Sequence, residues 1–194
     1  MEKTELEKLI GKLEARKYGT AVVDRPGRLT LKTKFIISKW ASPEDHQSGL
    51  PPYDVAVVDG NIGLNLGIQC ALDTIGGYTA TTWSGATTTA LVVGDLTTAE
   101  SATATECKTS LAATDGTGCL AMCLDASTYP TRATQTLTWQ ASASATSGNF
   151  AWNNFIVTTA RSAVTGIPLI RKLSQQGTKV SGQVWQLSVA VTMS

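Results

Sequence analysis

Residues 183–194 read "QVWQLSVAVTMS". Apolar and polar side chains alternate in this segment, and a period of two is typical of a β-strand with one buried face. The side chains predicted to face the core are Trp185, Leu187, Val189, Val191 and Met193. The side chains predicted to face outward are small or polar, and they are Gln186, Ser188, Ala190 and Thr192. Such a face can lie flat against a partner or another sheet. Because the predicted strand reaches the last residues, any attachment arm is expected at the N-terminal end.

The same alternation recurs in several segments before this strand. It is present from Leu29 to Ile37, in "TQTLTWQASASA" (134–145), in "NFAWNNFIVTTA" (149–160) and in "IPLIRKL" (167–173). No helical period follows residue 17. Short strands separated by turns, without intervening helices, are typical of antiparallel β proteins. The sequence therefore predicts a mainly β fold, an antiparallel β-sandwich or jelly roll with a short N-terminal amphipathic helix.

The segment 53–69, "YDVAVVDGNIGLNLGIQ", is predicted to form a hairpin, because Asp59-Gly60 supplies the residues that a tight turn requires between two alternating segments. The preceding segment 42–53, "SPEDHQSGLPPY", is rich in turn residues and is predicted to be an exposed connection. We accordingly expect two parts in the chain. Residues 1–50 form an N-terminal helix followed by an extended arm or strand, and residues 51–194 form the β-sandwich domain.

The N-terminal helix is predicted from residues 4–17, "TELEKLIGKLEARK". Four apolar side chains follow helical spacing and define one stripe, namely Leu6, Leu9, Ile10 and Leu13. Thr4 and Glu7 have the spacing of a capping box. A helix this short, with Gly11 inside it, is marginal alone, so its stripe must find a surface. Two alternatives remain open: the stripe packs on its own domain, or it binds a neighbouring subunit as a partner-binding arm.

The charge pattern argues against nucleic-acid and membrane binding. The formal net charge is +1, and the basic excess in residues 1–50 is mixed with acidic residues instead of forming a patch. No run approaches the roughly 20 apolar residues of a membrane helix. The N-terminus alternates charges where a signal peptide would be apolar. We therefore expect a soluble protein, made in a cytoplasm, that binds neither nucleic acid nor membrane.

Catalytic and metal-binding patterns are also absent from the sequence. His46 is the one histidine and therefore the one candidate for a neutral-pH base beside a nucleophile. The carboxylates that a glycosidase would need lie scattered, at Asp95, Glu100, Asp115 and Asp125. The four cysteines have no zinc spacing and are expected to be buried and reduced, with disulfides as the alternative; they are Cys70, Cys107, Cys119 and Cys123. The sequence predicts no enzyme, no cofactor and no metal site.

The five tryptophans offer another kind of candidate site. Exposed indole rings can stack on sugars, whereas rings on an apolar strand face pack in a core. Trp139 and Trp185 lie on such faces and are predicted to be core residues. Trp83, beside a turn signal in "TTWSG", is the candidate for exposure.

Three segments in the second half of the chain resemble a group of bacteriophage structural proteins. These are "VVGDLTTAESATATECKTSLAA" (92–113), "TLTWQASASATSGNFAWNNFIVTTA" (136–160) and "LIRKLSQQGTKVSGQVWQLSVAVTMS" (169–194). The residues that match the motifs of that group are Gly94, Asp95, Thr97, Thr98 and Ala99, then Asn149 and Trp152, then Lys179, Gly182, Trp185 and Leu187. The chain departs from the pattern at Asn154 and Phe155, where relatives often carry an acidic and an aromatic residue.

The resemblance implies a component of a virion, located on the capsid surface after synthesis in the cytoplasm of a bacterial host. It implies a capsid decoration or cement protein that stabilises the head by bridging capsid subunits. The alternative is a tail, neck or fibre protein that binds the host surface. The partners implied are the major capsid protein and further copies of the chain, as a homodimer or homotrimer. Residues 1–24 would then serve as the arm that reaches a neighbour.

Overall fold

A computed structural model describes residues 31–63, 65, 68–69, 72, 89–97, 118–159 and 168–194. The chain divides into two units, residues 1–30 and residues 31–194. The predicted N-terminal helix and its stripe of Leu6, Leu9, Ile10 and Leu13 lie outside the described residues. The strands and the helix whose bounds are described all lie in the second unit.

The described strands form two five-stranded antiparallel sheets. Sheet A has the order β2 (Asp54–Asp59), β1 (Leu31–Trp40), β10 (Val184–Met193), β7 (Thr136–Ala143) and β6 (Thr131–Ala133). Sheet B has the order β3 (Ile62–Gly63), β9 (Pro168–Leu173), β8 (Asn154–Thr158), β4 (Ala90–Gly94) and β5 (Cys119–Cys123). Phe35 and Leu187 of sheet A share one buried cluster with Leu91 and Phe155 of sheet B. The prediction of a mainly β protein with antiparallel, sandwich-like packing is confirmed.

Strand β10 occupies the centre of sheet A, between β1 and β7. Trp185, Leu187 and Val189 are buried, as the alternation predicts, because they face the shared core. Met193 is an exception, since 45% of its surface is exposed. It lies opposite Leu31 at the end of the sheet, beyond the reach of the core, and Leu31 is 48% exposed.

Strand β1 confirms the alternation predicted for this part of the chain. Thr33, Phe35 and Ile37 are buried, whereas Lys32 and Lys34 are exposed. β1 pairs along its whole length with β10 and along its second half with β2. Residues 31–40, which the sequence analysis groups with the N-terminal arm, thus contribute a strand to the same sheet as the C-terminal strand.

The predicted hairpin at Asp59-Gly60 is wrong. β2 pairs with β1 in sheet A, whereas β3 pairs with β9 in sheet B. Gly60 has the positive φ that the turn chemistry predicts, at +77°, but the turn passes the chain from one sheet to the other. The strand predicted after it ends at Gly63. Beyond it, the described residues 65, 68, 69 and 72 are helical.

The predicted connection at 42–53 is exposed over most of its length and contains a short helix, α1 (Pro43–Gln47). Ser42 caps this helix, because its hydroxyl accepts a hydrogen bond from the Asp45 N–H at 3.1 Å. Proline at the first turn and acidic residues near the helix N-terminus both favour the start of a helix. Because the segment is rich in turn residues, it was predicted only as a connection, and the helix with its Ser42 cap was not predicted.

The two sheets differ in how their outer faces are covered. All five residues of β4 and all five of β8 are buried, so sheet B is covered on both faces along these strands. A second apolar cluster, formed by Val92, Cys119 and Ile156, lies apart from the shared core. In sheet A, by contrast, the outward-facing side chains are exposed or half-buried, except for Trp40 and Val184 at one end of the sheet, which are buried. Sheet A therefore has the open face.

Candidate functional site

Two tryptophans from the resemblance motifs meet in the core. The rings of Trp152 and Trp185 pack edge to face, with centroids 5.2 Å apart at 71°, and both residues are buried. The indole N–H of Trp152 donates to the Gly148 carbonyl at 3.0 Å, and that of Trp185 donates to Gln183 Oε1 at 3.1 Å. Buried indoles need such acceptors. Each motif thus anchors the loop next to it.

Lys179 joins the second motif to the third. Its Nζ donates to Asn149 Oδ1 at 2.7 Å and to the Ser144 carbonyl at 2.8 Å, and its backbone N–H donates to the Phe150 carbonyl at 3.1 Å. The residue is fully buried, and this burial lowers the pKa of Lys179 from 10.5 to about 8. No ion pair within 4.0 Å involves it among the described residues. The ammonium is therefore held by neutral oxygens, as a tie between two loops.

The first motif joins the same junction through backbone contacts. The Gly94 carbonyl accepts the Asn153 N–H at 2.9 Å, and the Asn153 side-chain amide donates to the Asp95 carbonyl at 2.9 Å. Asp95 in turn donates its N–H to the Gly118 carbonyl. Of the remaining residues of this motif, Thr97 is described, and Thr98 and Ala99 lie outside the described residues. The three motifs therefore meet in one set of contacts, which we call the motif junction.

The two positions that depart from the resemblance, Asn154 and Phe155, are both buried. Asn154 is buried, and its Oδ1 accepts a hydrogen bond from Arg171 Nε at 3.1 Å. Phe155 is fully buried and packs against Trp152, with ring centroids 6.4 Å apart. The amide at position 154 thus provides an acceptor for a buried guanidinium, and the aromatic ring at 155 belongs to the core.

The ammonium of Lys39 makes charged contacts at the end of the core that contains Trp185. Lys39 is 8% exposed, and its Nζ lies 2.8 Å from Asp54 Oδ2 and 2.9 Å from the Gln176 carbonyl oxygen. The same ammonium lies 4.5 Å from the centre of the Trp185 ring, within the range of a cation–π contact. Lys39 therefore links β1 to β2, to β10 and to the loop after β9.

His46 and Asp125, which were considered for catalysis, contact neighbouring side chains. His46 packs edge-on against Trp40, with ring centroids 4.7 Å apart. Asp125 Oδ2 accepts hydrogen bonds from three neutral side chains on the outer face of sheet A, namely Gln140, Ser142 and Gln186. Glu100 and Asp115 lie outside the described residues. Within the parts of the chain that the structure describes, no group of three His, Cys, Asp or Glu residues is placed to hold a metal ion.

The cysteine and tryptophan predictions are confirmed in part. Cys119 is buried, as expected, but Cys123 is exposed at the end of β5. In a strand these two residues are about 13 Å apart, too far for a disulfide with each other. Trp139 and Trp185 are core residues, at 2% and 3% exposure. Cys70, Cys107 and Trp83 lie outside the described residues.

The outer face of sheet A extends the flat surface predicted for the C-terminal strand. The register places Ser188 between Ile36 of β1 and Gln140 of β7, and it places Ala190 between Lys34 and Thr138. On edge strand β2 the outward residues Val55 and Val57 are half exposed. Most side chains of this face are short, and sequence reasoning had identified only the β10 part of it.

Comparisons with protein-family models, with curated proteins and with solved structures find no match. Among the described residues, no helix is long and apolar enough to cross a membrane.

Proposed function

We propose that this chain is a non-enzymatic structural protein of a bacteriophage particle, and specifically a capsid decoration protein that bridges capsid subunits. The observation that carries the proposal is the motif junction. The residues behind the resemblance make backbone, indole and ammonium contacts that brace loops, which is what a scaffold requires. Trp152 and Lys179 are both fully buried and thus inaccessible to a substrate.

The open outer face of sheet A supports the same proposal. Decoration proteins act in many copies on a lattice, so weak contacts of a flat surface can add up through avidity. In the proposed arrangement the β-sandwich provides surface contacts, and the predicted stripe of Leu6, Leu9, Ile10 and Leu13 reaches a capsid subunit or a neighbouring copy. The partners are the major capsid protein and further copies of this chain.

Binding to undecorated phage heads tests the proposal. The full chain is expected to sediment with the heads and to raise the temperature at which they release DNA. Deletion of residues 1–17 is expected to weaken binding strongly if those residues form the arm, and Lys8→Ala, on the charged side of the same segment, serves as the control. Full binding by the deleted chain would refute the arm.

Particle location separates the head role from the alternative role in a tail, neck or fibre. Gold-labelled antibody against the chain is expected to decorate the head in electron micrographs. Labelling of the tail, together with binding of the purified chain to host cells, would overturn the decoration role in favour of host recognition.

A further inference from the structure

We propose that the outer face of sheet A is a dimer interface, through which two copies of the chain pack face to face about a twofold axis. This inference deepens the function proposed above, since it names the surface through which copies of the structural protein meet. Sheet B offers no equivalent surface along β4 and β8, because both strands are fully buried.

The outer face of sheet A carries two charge poles of opposite sign. The basic pole consists of Lys32 and Lys34, both exposed on β1. Although Asp59 is the register partner of Lys34, neither lysine has an ion pair within 4.0 Å among the described residues. The acidic pole is Asp125, and its hydrogen-bond donors among those residues, Gln140, Ser142 and Gln186, are all uncharged. Among the described residues, neither pole therefore forms an ion pair within its own copy, although the exposed Asp59 lies opposite Lys34 on the same face.

The two poles are too far apart to neutralise each other within one copy. Lys34 lies opposite Ala190, whereas the donor to Asp125 on the same strand is Gln186. Four residues along a strand correspond to about 13 Å. That distance exceeds the Debye length of about 8 Å at physiological ionic strength, so the attraction between the poles of one copy is largely screened.

A twofold axis places each charge pole beside the pole of opposite sign on the other copy. An axis lying in the face between Lys34 and Asp125, close to Ser188, brings the basic pole of each copy to the acidic pole of the other. Ser188 and Ala190, near this axis, have short side chains, and Ser188 is flanked by Ile36 and Gln140. Two sheets with short side chains can approach to a separation of about 10 Å. Close approach and charge pairing are therefore satisfied by one arrangement.

The size of the face fits a dimer of moderate affinity. Five strands about 4.8 Å apart, with about four outward residues on the longer strands, give roughly 600 Å² on each copy. The total of about 1,200 Å² lies at the lower limit of specific interfaces. Ile36, Val55 and Val57 provide apolar area at one side of the face. We therefore expect a dimer that dissociates on dilution.

Sedimentation equilibrium of the full chain tests the interface by charge exchange. Lys34→Glu and Asp125→Lys are each expected to raise the dimer Kd about tenfold, since each places like charges together. The double variant is expected to restore the wild-type Kd within a few-fold, because it reverses the sign of both poles. Ser188→Trp, close to the axis, is expected to abolish the dimer. Lys172→Glu on sheet B is the charge-matched control and is expected to leave the Kd unchanged.

Circular dichroism of each variant checks that the fold is retained. A wild-type chain that stays monomeric at all concentrations, or a double variant as weak as the single variants, would overturn the interface. Binding of the same variants to undecorated heads is measured separately. Head binding by chains without a concentration-dependent dimer leaves the proposed function standing and overturns only the interface. A dimer with the expected charge response, in chains that bind no heads, supports the interface and refutes the function.

Discussion

Lys179→Met is expected to change how the free energy of unfolding depends on pH. The pKa of Lys179 is about 8 in the folded chain and 10.5 when exposed. Below pH 8 the lysine is charged in both states, so the cost of burying the ammonium is fully present. Between pH 8 and 10.5 the unfolded chain binds more protons than the folded chain, so the stability of the wild type rises with pH relative to the variant. A shift of 2.5 units corresponds to a gain of about 3 kcal/mol over that interval.

Urea denaturation of both proteins at intervals from pH 7 to 10.5 measures this gain. The contributions of groups that the two proteins share cancel in the difference between their free energies of unfolding. Leu173→Met, at a partly exposed position of β9, is the control, and its difference from the wild type is expected to stay constant because neither side chain titrates. A difference between the wild type and Lys179→Met that does not vary with pH would show that the Lys179 ammonium is solvated in the folded chain.

Three further experiments probe the core and the loops. Trp152→Ala is expected to lower the free energy of unfolding by about 3–5 kcal/mol, because it empties a fully buried indole site; a loss below 1 kcal/mol on chemical denaturation would contradict this packing. Gly148→Ala is expected to be more destabilising than Gly177→Ala. Both glycines have positive φ, but the new Cβ at Gly148 would lie 3.0 Å from Leu120 Cδ2 and 3.4 Å from the Ala143 Cβ in the core, whereas at Gly177 nothing lies within 4 Å; equal thermal shifts would contradict the close approach. Native labelling with a thiol reagent, followed by peptide mapping, is expected to modify Cys123 and to spare Cys119, since Cys123 is exposed and Cys119 is buried.

Strands β1, β7 and β10 were predictable because their buried side chains alternate with more exposed ones and face a shared core. In β10 the alternation of Trp185, Leu187 and Val189 with polar residues identified the strand and its inward face. The order of strands in the sheets was harder to predict from the sequence. Asp59-Gly60 determines a backbone conformation at the turn, but it does not determine which strand the chain joins next. The hairpin prediction failed for that reason.

Only part of the motif junction could be predicted from the sequence. Trp185 could be assigned to the core from its strand pattern, whereas the full burial of Lys179 has no signature in the local sequence. A lysine is ordinarily exposed, and here its burial depends on oxygens supplied by Ser144 and Asn149, more than 25 residues away in the chain. Contacts of this kind follow from the tertiary fold. The outer face of sheet A, proposed as a dimer interface, similarly required the register of five strands, which no single segment contains.

The central position of β10 has a consequence for how the protein is made. In the register, Trp40 lies beside Val184 and Leu31 beside Met193, so neighbouring strands of sheet A come from distant parts of the chain. On the ribosome, β1 and β7 both emerge before the strand that belongs between them. Until β10 arrives, each exposes a row of unpaired N–H and C=O groups that can template aggregation. Premature termination before residue 184 should therefore yield insoluble chains and not a smaller folded protein.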